Sequence, residues 1–355
     1  MRVLAVIFVI GVLFSPVVAS AAEPEDYVEN FKDTLPEDMR DSLTSSEGLI
    51  EKASFKTIIS EIYSIFSSNG DTLVSFLFTL LGLAAMSALA ETADTRLRPA
   101  VITAASSVSG ICIFERLEGI VRSVSSSLAE AGDLFSALIP IFSAVNVAGG
   151  GASTATAGTV GMSLTLGVMG FFSSEILIYA VFMMFLLGML PDAQGIAAGV
   201  LRTIKGFFGW GVGVICFLLG ATTSLQTVIA TASDGILIRS ARFTASSAIP
   251  VVGGAVSGAL STLASGLSYA KGVIGGGSLV AMITITLSPI VLLLAYRLML
   301  TMTVNFLNFL GMGGGVRSFS AMLGALDSLI GVFAMSTIIY IFEIVLFIKS
   351  GVAIL

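Results

Sequence analysis

An ionisable side chain inside an apolar helix is expensive to keep, so charges within hydrophobic stretches are where chemistry is sought first. Three stand out: Glu175 within 160–190, Arg297 directly after 279–296, and Glu343 within 329–355. Asn305 and Asn308 are uncharged companions. Such groups can pair across helices, line a polar path or relay a proton. The plainer alternative is that Arg297 snorkels at a helix end and Glu343 pairs structurally. Other chemistry is excluded more firmly. The chain has no histidine, so serine–histidine or cysteine–histidine catalysis and histidine-ligated metals are impossible within it. Cys112 and Cys216 both lie in apolar stretches and read as small buried hydrophobes. Asp192, Asp234 and Asp327 sit beside proline, glycine or the edges of apolar segments, a poor setting for an intramembrane aspartyl pair. There is no phosphate loop, nucleotide signature or nucleophile elbow. We therefore expect no enzyme, no cofactor and no metal site.

These charges must be positioned by elements that live in lipid. Of the 355 residues, 55% are hydrophobic and only 11% charged, against about a quarter charged in soluble domains. Mean hydropathy is +1.01. Such a chain cannot cover a globule with polar surface, so the bilayer is its expected solvent. Its 17 basic residues are outnumbered by 23 acidic ones and form no stripe, which argues against a nucleic-acid partner.

Three regions follow from composition. Residues 1–21 resemble an export signal, with Arg2, an apolar core over 3–18 and the small-x-small pattern Ala19-Ser20-Ala21. The alternative is an uncleaved first helix. Residues 22–71 carry 12 of the acidic side chains and 4 basic ones and read as an extracytoplasmic helical region. Thr34-x-x-Glu37 and Thr44-x-x-Glu47 look like capped helix starts. After them, Leu49 to Phe66 places apolar residues on one face of an amphipathic helix, suited to a membrane surface or a partner. Residues 72–355 read as a polytopic membrane domain. The expected fold class is thus all-α: a polytopic α-helical integral membrane protein with five to seven spans after the signal, plus amphipathic or re-entrant segments.

Within the membrane domain, 73–89 is a charge-free span flanked by Arg96 and Arg98, which places those arginines on the cytoplasmic side. A weaker apolar stretch follows over 99–114. Residues 115–135 read as an amphipathic helix, lying at the interface or lining a polar passage. Leu117, Ile120, Val121, Val124, Leu128, Ala131 and Phe135 mark its apolar face. Around Pro140 and Gly150, short apolar pieces interrupted by proline and glycine suggest a broken or re-entrant helix, or a plain loop. The stretch 160–190 is one long helix or a pair broken at Ser173-Ser174-Glu175. A span over 206–230 and a short surface helix over 234–243 come next. Pro250, Gly253, Gly254 and Gly258 form a second glycine-rich region, for close helix packing or for a broken segment. Spans over 279–296 and 329–355 complete the domain.

Three stretches carry a resemblance. They are Phe135-Ser-Ala-Leu-Ile-Pro140 leading to Gly149-Gly150-Gly151; Thr222-Thr-Ser-Leu-Gln226 with Ala232-Ser-Asp234-Gly235; and Arg242-Phe243 leading into Ile249-Pro250-Val-Val-Gly253-Gly254-Ala-Val-Ser. Together they resemble the stage III sporulation protein AE family of endospore-forming bacteria, over most of residues 72–355. The resemblance implies a polytopic mother-cell membrane component of the channel apparatus joining mother cell and forespore. It also implies partners from that apparatus, including ring-forming proteins of the intermembrane space, and a role in forespore development. No catalytic residues come with it.

Two functional readings stay open: a non-enzymatic subunit of a channel or secretion-like complex, self-association included, and a self-contained secondary transporter. Both share one topological expectation. With Cys112 and Cys216 replaced by serine, a Ser45→Cys variant should react with an impermeant thiol reagent on the outer side of intact membranes. Reaction only after the membrane is broken would reverse the orientation.

Overall fold

The computed structural model describes residues 55–91, 96–148, 152–171, 178–189, 253–311 and 313–349, with Thr34, Leu35, Gly199, Thr203, Gly206, Phe207, Trp210 and Gly213. The export signal, most of the span over 206–230 and the helix over 234–243 lie outside these residues.

Every regular element among the described residues is an α-helix. They are α1 (Phe55–Ser68), α2 (Gly70–Glu91), α3 (Arg98–Ala148), α4 (Ala152–Phe171), α5 (Ile178–Met189), α6 (Gly253–Phe309) and α7 (Gly313–Lys349). In lipid each backbone amide must be satisfied within its own segment, which leaves helices as the only open-chain solution. The many hydroxyls are absorbed locally in the same way. Thr79, Thr286, Thr303 and Thr337 each donate to the carbonyl four residues back, at 2.9, 2.7, 2.9 and 3.0 Å. Among the described residues four helices carry stretches long and apolar enough to cross a membrane: Gly70–Ala90, Ala100–Ala148, Tyr269–Phe309 and Phe319–Ile348.

Helix length departs from the sequence expectation. Helix α3 has 51 residues, about 77 Å at 1.5 Å per residue, and absorbs the weak span over 99–114 and the amphipathic segment over 115–135. The amphipathic segment is not a separate helix. Its apolar face is buried throughout, as its spacing requires, and continues without a phase change through Leu138 and Phe142. An unbroken buried face gives the chain no reason to turn. Pro140 does not break α3 either. It removes one donor to the Ser136 carbonyl, a loss that packed membrane helices tolerate. Likewise α6 runs 57 residues, about 86 Å, uniting the glycine-rich start, the span over 279–296 and the apolar tail. Helices α1 and α2 are joined through Asn69, whose amide bonds to Ile65 and whose carbonyl accepts from Leu73.

Side-chain contacts fix the directions. Phe135 packs at a tilt on Tyr340 and Phe142 on Phe347, at 5.0 and 5.4 Å between ring centroids. Both indices rise by seven, so α3 and α7 run parallel and in step. Arg297 meets Asp327, while Gly275 faces Phe347 and Ile348, so α6 runs antiparallel to α7. Gly158 faces Phe142, and Gly132 lies near Leu166, so α4 returns antiparallel along α3. Phe114 packs on Phe182 and Phe185 of α5, and Phe76 of α2 sits edge-on to Tyr296 of α6.

Two glycines are contact points. A Cβ at Gly158 would collide with the Phe142 ring, and one at Gly275 with the Ile348 side chain. Gly82, Gly167 and Gly331 have open space at that position. Gly158→Ala and Gly275→Ala should each lower stability by about 1–3 kcal/mol through overpacking. Alanine at 82, 167 or 331 should be neutral or mildly stabilising. Thermal unfolding of the purified variants in one detergent checks the contrast.

Candidate functional site: a buried polar layer

The deepest polar contacts lie where α3, α4, α6 and α7 meet. Lys271 on α6 is 2% exposed, Asn146 on α3 is 3% and Glu343 on α7 is 4%. The Lys271 ammonium donates to Asn146 Oδ1 at 2.8 Å. It also sits 5.9 Å above the centre of the Phe347 ring, within range of cation–π attraction. Asn146 Nδ2 in turn donates to the Phe142 carbonyl at 2.8 Å, so the amide is oriented by its own helix and offers its oxygen outward. One turn along α7 from Phe347, the Glu343 carboxylate accepts a hydrogen bond of 3.3 Å from Thr165 on α4. One side chain from each of four helices therefore builds this layer, with the Phe142 and Phe347 rings packed beside it.

A buried cation with an amide oxygen and a ring face, one turn from a buried carboxylate, can do two things. It fixes helix register, because any slide strips a charge of its partners. It also puts two opposite formal charges within the apolar bundle, the kind of arrangement that transport proteins use for coupling.

The residues singled out in the sequence scatter across the fold. Glu343 lies in the layer. Arg297 does not: its Nε donates to Asp327 Oδ1 at 2.5 Å, with both side chains about half exposed. Arg297 sits inside α6 rather than at a helix end, because α6 continues to Phe309, and the pair ties it to α7. Gly253, Gly254 and Gly258 fall in the first turns of α6, and Pro140 lies within α3 near the layer. Glu175, Gly150 and Pro250 lie outside the described residues. Sequence reasoning missed Lys271 and Asn146. Lys271 is the sole charge between Arg242 and Arg297, and that isolation was the available signal.

Among the described residues no group of acidic and cysteine side chains could hold a metal ion. The class defined so far is an all-helical integral membrane protein with long helices and an internal polar layer. The chain belongs to the stage III sporulation protein AE family, whose model matches residues 38–351. No curated protein matches the chain, and no solved structure does.

The layer predicts non-additive effects. Lys271→Met should destabilise the bundle by roughly 3–5 kcal/mol, because it leaves the Glu343 carboxylate buried without the nearby ammonium. Glu343→Gln alone should destabilise less. The double variant should recover much of the loss, since two neutral side chains no longer need compensating. Melting temperatures of the four proteins give the coupling; simple additivity would mean the two charges do not communicate.

Proposed function

We propose that this protein is a non-enzymatic membrane subunit of the multiprotein channel, or secretion-like complex, that connects mother cell and forespore during sporulation. In this reading it resides in the mother-cell membrane around the forespore, with residues 22–71 in the space between the two membranes. Its partners there are other channel proteins, including ring-forming components. The observation that carries the reading is membership of the sporulation family over nearly the whole chain, in a protein with four helices among its described residues long and apolar enough to cross a membrane. The geometry is consistent with it. Helices far longer than the roughly 30 Å hydrocarbon core offer surface on either side of a bilayer for assembly.

A second reading, a self-contained secondary transporter, is favoured by one feature, the buried Lys271 and Glu343 charges. The two separate cleanly. A functional fluorescent fusion should collect at the engulfing membrane of sporulating cells and co-purify with ring-forming channel proteins. Deletion should arrest forespore development after engulfment. Uniform distribution over the cell membrane, with ion-coupled uptake by the lone chain in liposomes, would replace this reading with the transporter.

A further inference from the structure

The contacts that set helix direction also sort the helix ends into two groups. Asn146, which holds Lys271, lies two residues before the end of α3, and Phe347 lies two residues before the end of α7. The polar layer is therefore at the end of the bundle where α3 and α7 stop. Helix α6 starts at Gly253 and reaches Lys271 only after 18 residues, so about 27 Å of it extends past that level. The start of α3 at Arg98, the end of α6 at Phe309 and the start of α7 at Gly313 form the other group. There Gly311, at φ +74°, turns the chain between α6 and α7, a backbone conformation that suits glycine.

Chain length places α2. Six residues separate Glu91 from Arg98 and reach roughly 25 Å at most, far less than the length of α3. Glu91 therefore lies at the Arg98 end. The ring contact agrees. Phe76 is 15 residues from the end of α2, and its partner Tyr296 is 13 from the end of α6, so these two helices run side by side in one direction. Gly70, with α1 joined ahead of it through Asn69, consequently points toward the layer end.

Charge assigns the sides. Arg96, Arg98 and Arg317 gather at the Gly311 end. Basic residues close to the ends of crossing helices mark the cytoplasmic face, whereas acidic ones count little. The layer end is the one that residues 22–71 lead into, and these hold 12 acidic and 4 basic side chains. The last turn of α7 adds one cation, Lys349, and Lys271 is buried. We infer that the Lys271–Asn146 layer, the overhanging start of α6 and the end of α7 face out of the cytoplasm, on the side of residues 22–71, and that the α6–α7 turn faces the cytoplasm. A protein outside the cytoplasm then meets the layer end of the bundle, and a cytoplasmic protein meets only the opposite end. Which proteins those are rests on the subunit reading above; the sidedness does not, so the two fail separately.

The test uses the full chain in bacterial cells, with Cys112 and Cys216 replaced by serine and one new cysteine at either end. Gly266 on α6 and Gly313 on α7 are exposed and have open space where a Cβ would stand, so Gly266→Cys and Gly313→Cys disturb no packing. In intact cells a charged, membrane-impermeant maleimide should label Gly266→Cys at least tenfold faster than Gly313→Cys. Breaking the membrane should bring Gly313→Cys to a comparable rate. The reverse order would overturn the inference, and so would equal labelling of both in intact cells, which would put the two ends on one side. A second measurement needs no substitution. Alkaline phosphatase fused after Leu355 should be active, because it folds only outside the cytoplasm, and a green fluorescent protein exported at the same position should stay dark. An inactive phosphatase together with a bright fluorescent fusion would place the end of α7 in the cytoplasm and overturn the assignment.

Discussion

Everything in the bundle must accommodate a lysine ammonium held where water cannot reach it. Lys271 is held by the Asn146 oxygen of α3 and by the Phe347 ring of α7. Sliding α6 by one residue along its neighbours would move the ammonium by 1.5 Å and turn it by about 100°, away from both. Desolvation makes that move costly, because an unpartnered buried charge loses its water and gains nothing in return. The aromatic pairs enforce the same register by shape. Phe135 with Tyr340 and Phe142 with Phe347 recur at seven residues on each helix, so a slip that spoils one pair spoils the other. Electrostatics and packing therefore specify one arrangement together.

The same register places two charged levels in the molecule. Lys271 and Arg297 lie 26 residues apart on α6 with no charge between them, about 39 Å along the axis. The Arg297–Asp327 and Arg122–Glu118 pairs lie at one level, both on the exposed surface of the bundle. The Lys271 layer marks the other. Helices α3 and α6 continue beyond the Arg297–Asp327 level because their buried faces continue, and Phe76 of α2 packs on Tyr296 beside it.

The all-helical class, the apolar segments and the buried face of α3 were legible in the sequence because they rest on periodicity, which survives without tertiary information. Helix length was not. A span is recognised where apolarity fills every face, and it is taken to stop at the first charges. In α3 the charges Glu115, Glu118, Arg122, Glu130 and Asp133 occupy a different face from the apolar series, so the helix passes through them undisturbed. Pro140 looked like an interruption for a related reason. Its cost is a property of isolated helices, and packing overrides it. The glycines at 253, 254 and 258, read as a packing face or a broken segment, fall in the first turns of α6. Glu343 was legible because it interrupts an apolar run. Its partner Thr165 lies 178 positions away in sequence, and only the fold brings them together. Lys271 and Asn146 escaped notice because each lies beyond the end of an apolar window rather than inside one.

The polar layer also explains why two glycines sit where they do. Gly275 lies one turn from Lys271 on α6 and faces Phe347 and Ile348; Gly158 on α4 faces Phe142. Each removes a side chain at a point where a ring comes close to a backbone. That approach has a chemical consequence. An asparagine amide is short, and Asn146 Nδ2 is already committed to its own helix. Its oxygen can meet a lysine on α6 at 2.8 Å only if α6 lies close to the ring-bearing faces of α3 and α7. Close approach also leaves little room for water around the ammonium, which strengthens its interactions with the amide and the ring. The glycines are thus as much a part of the charged layer as the residues that carry its charges.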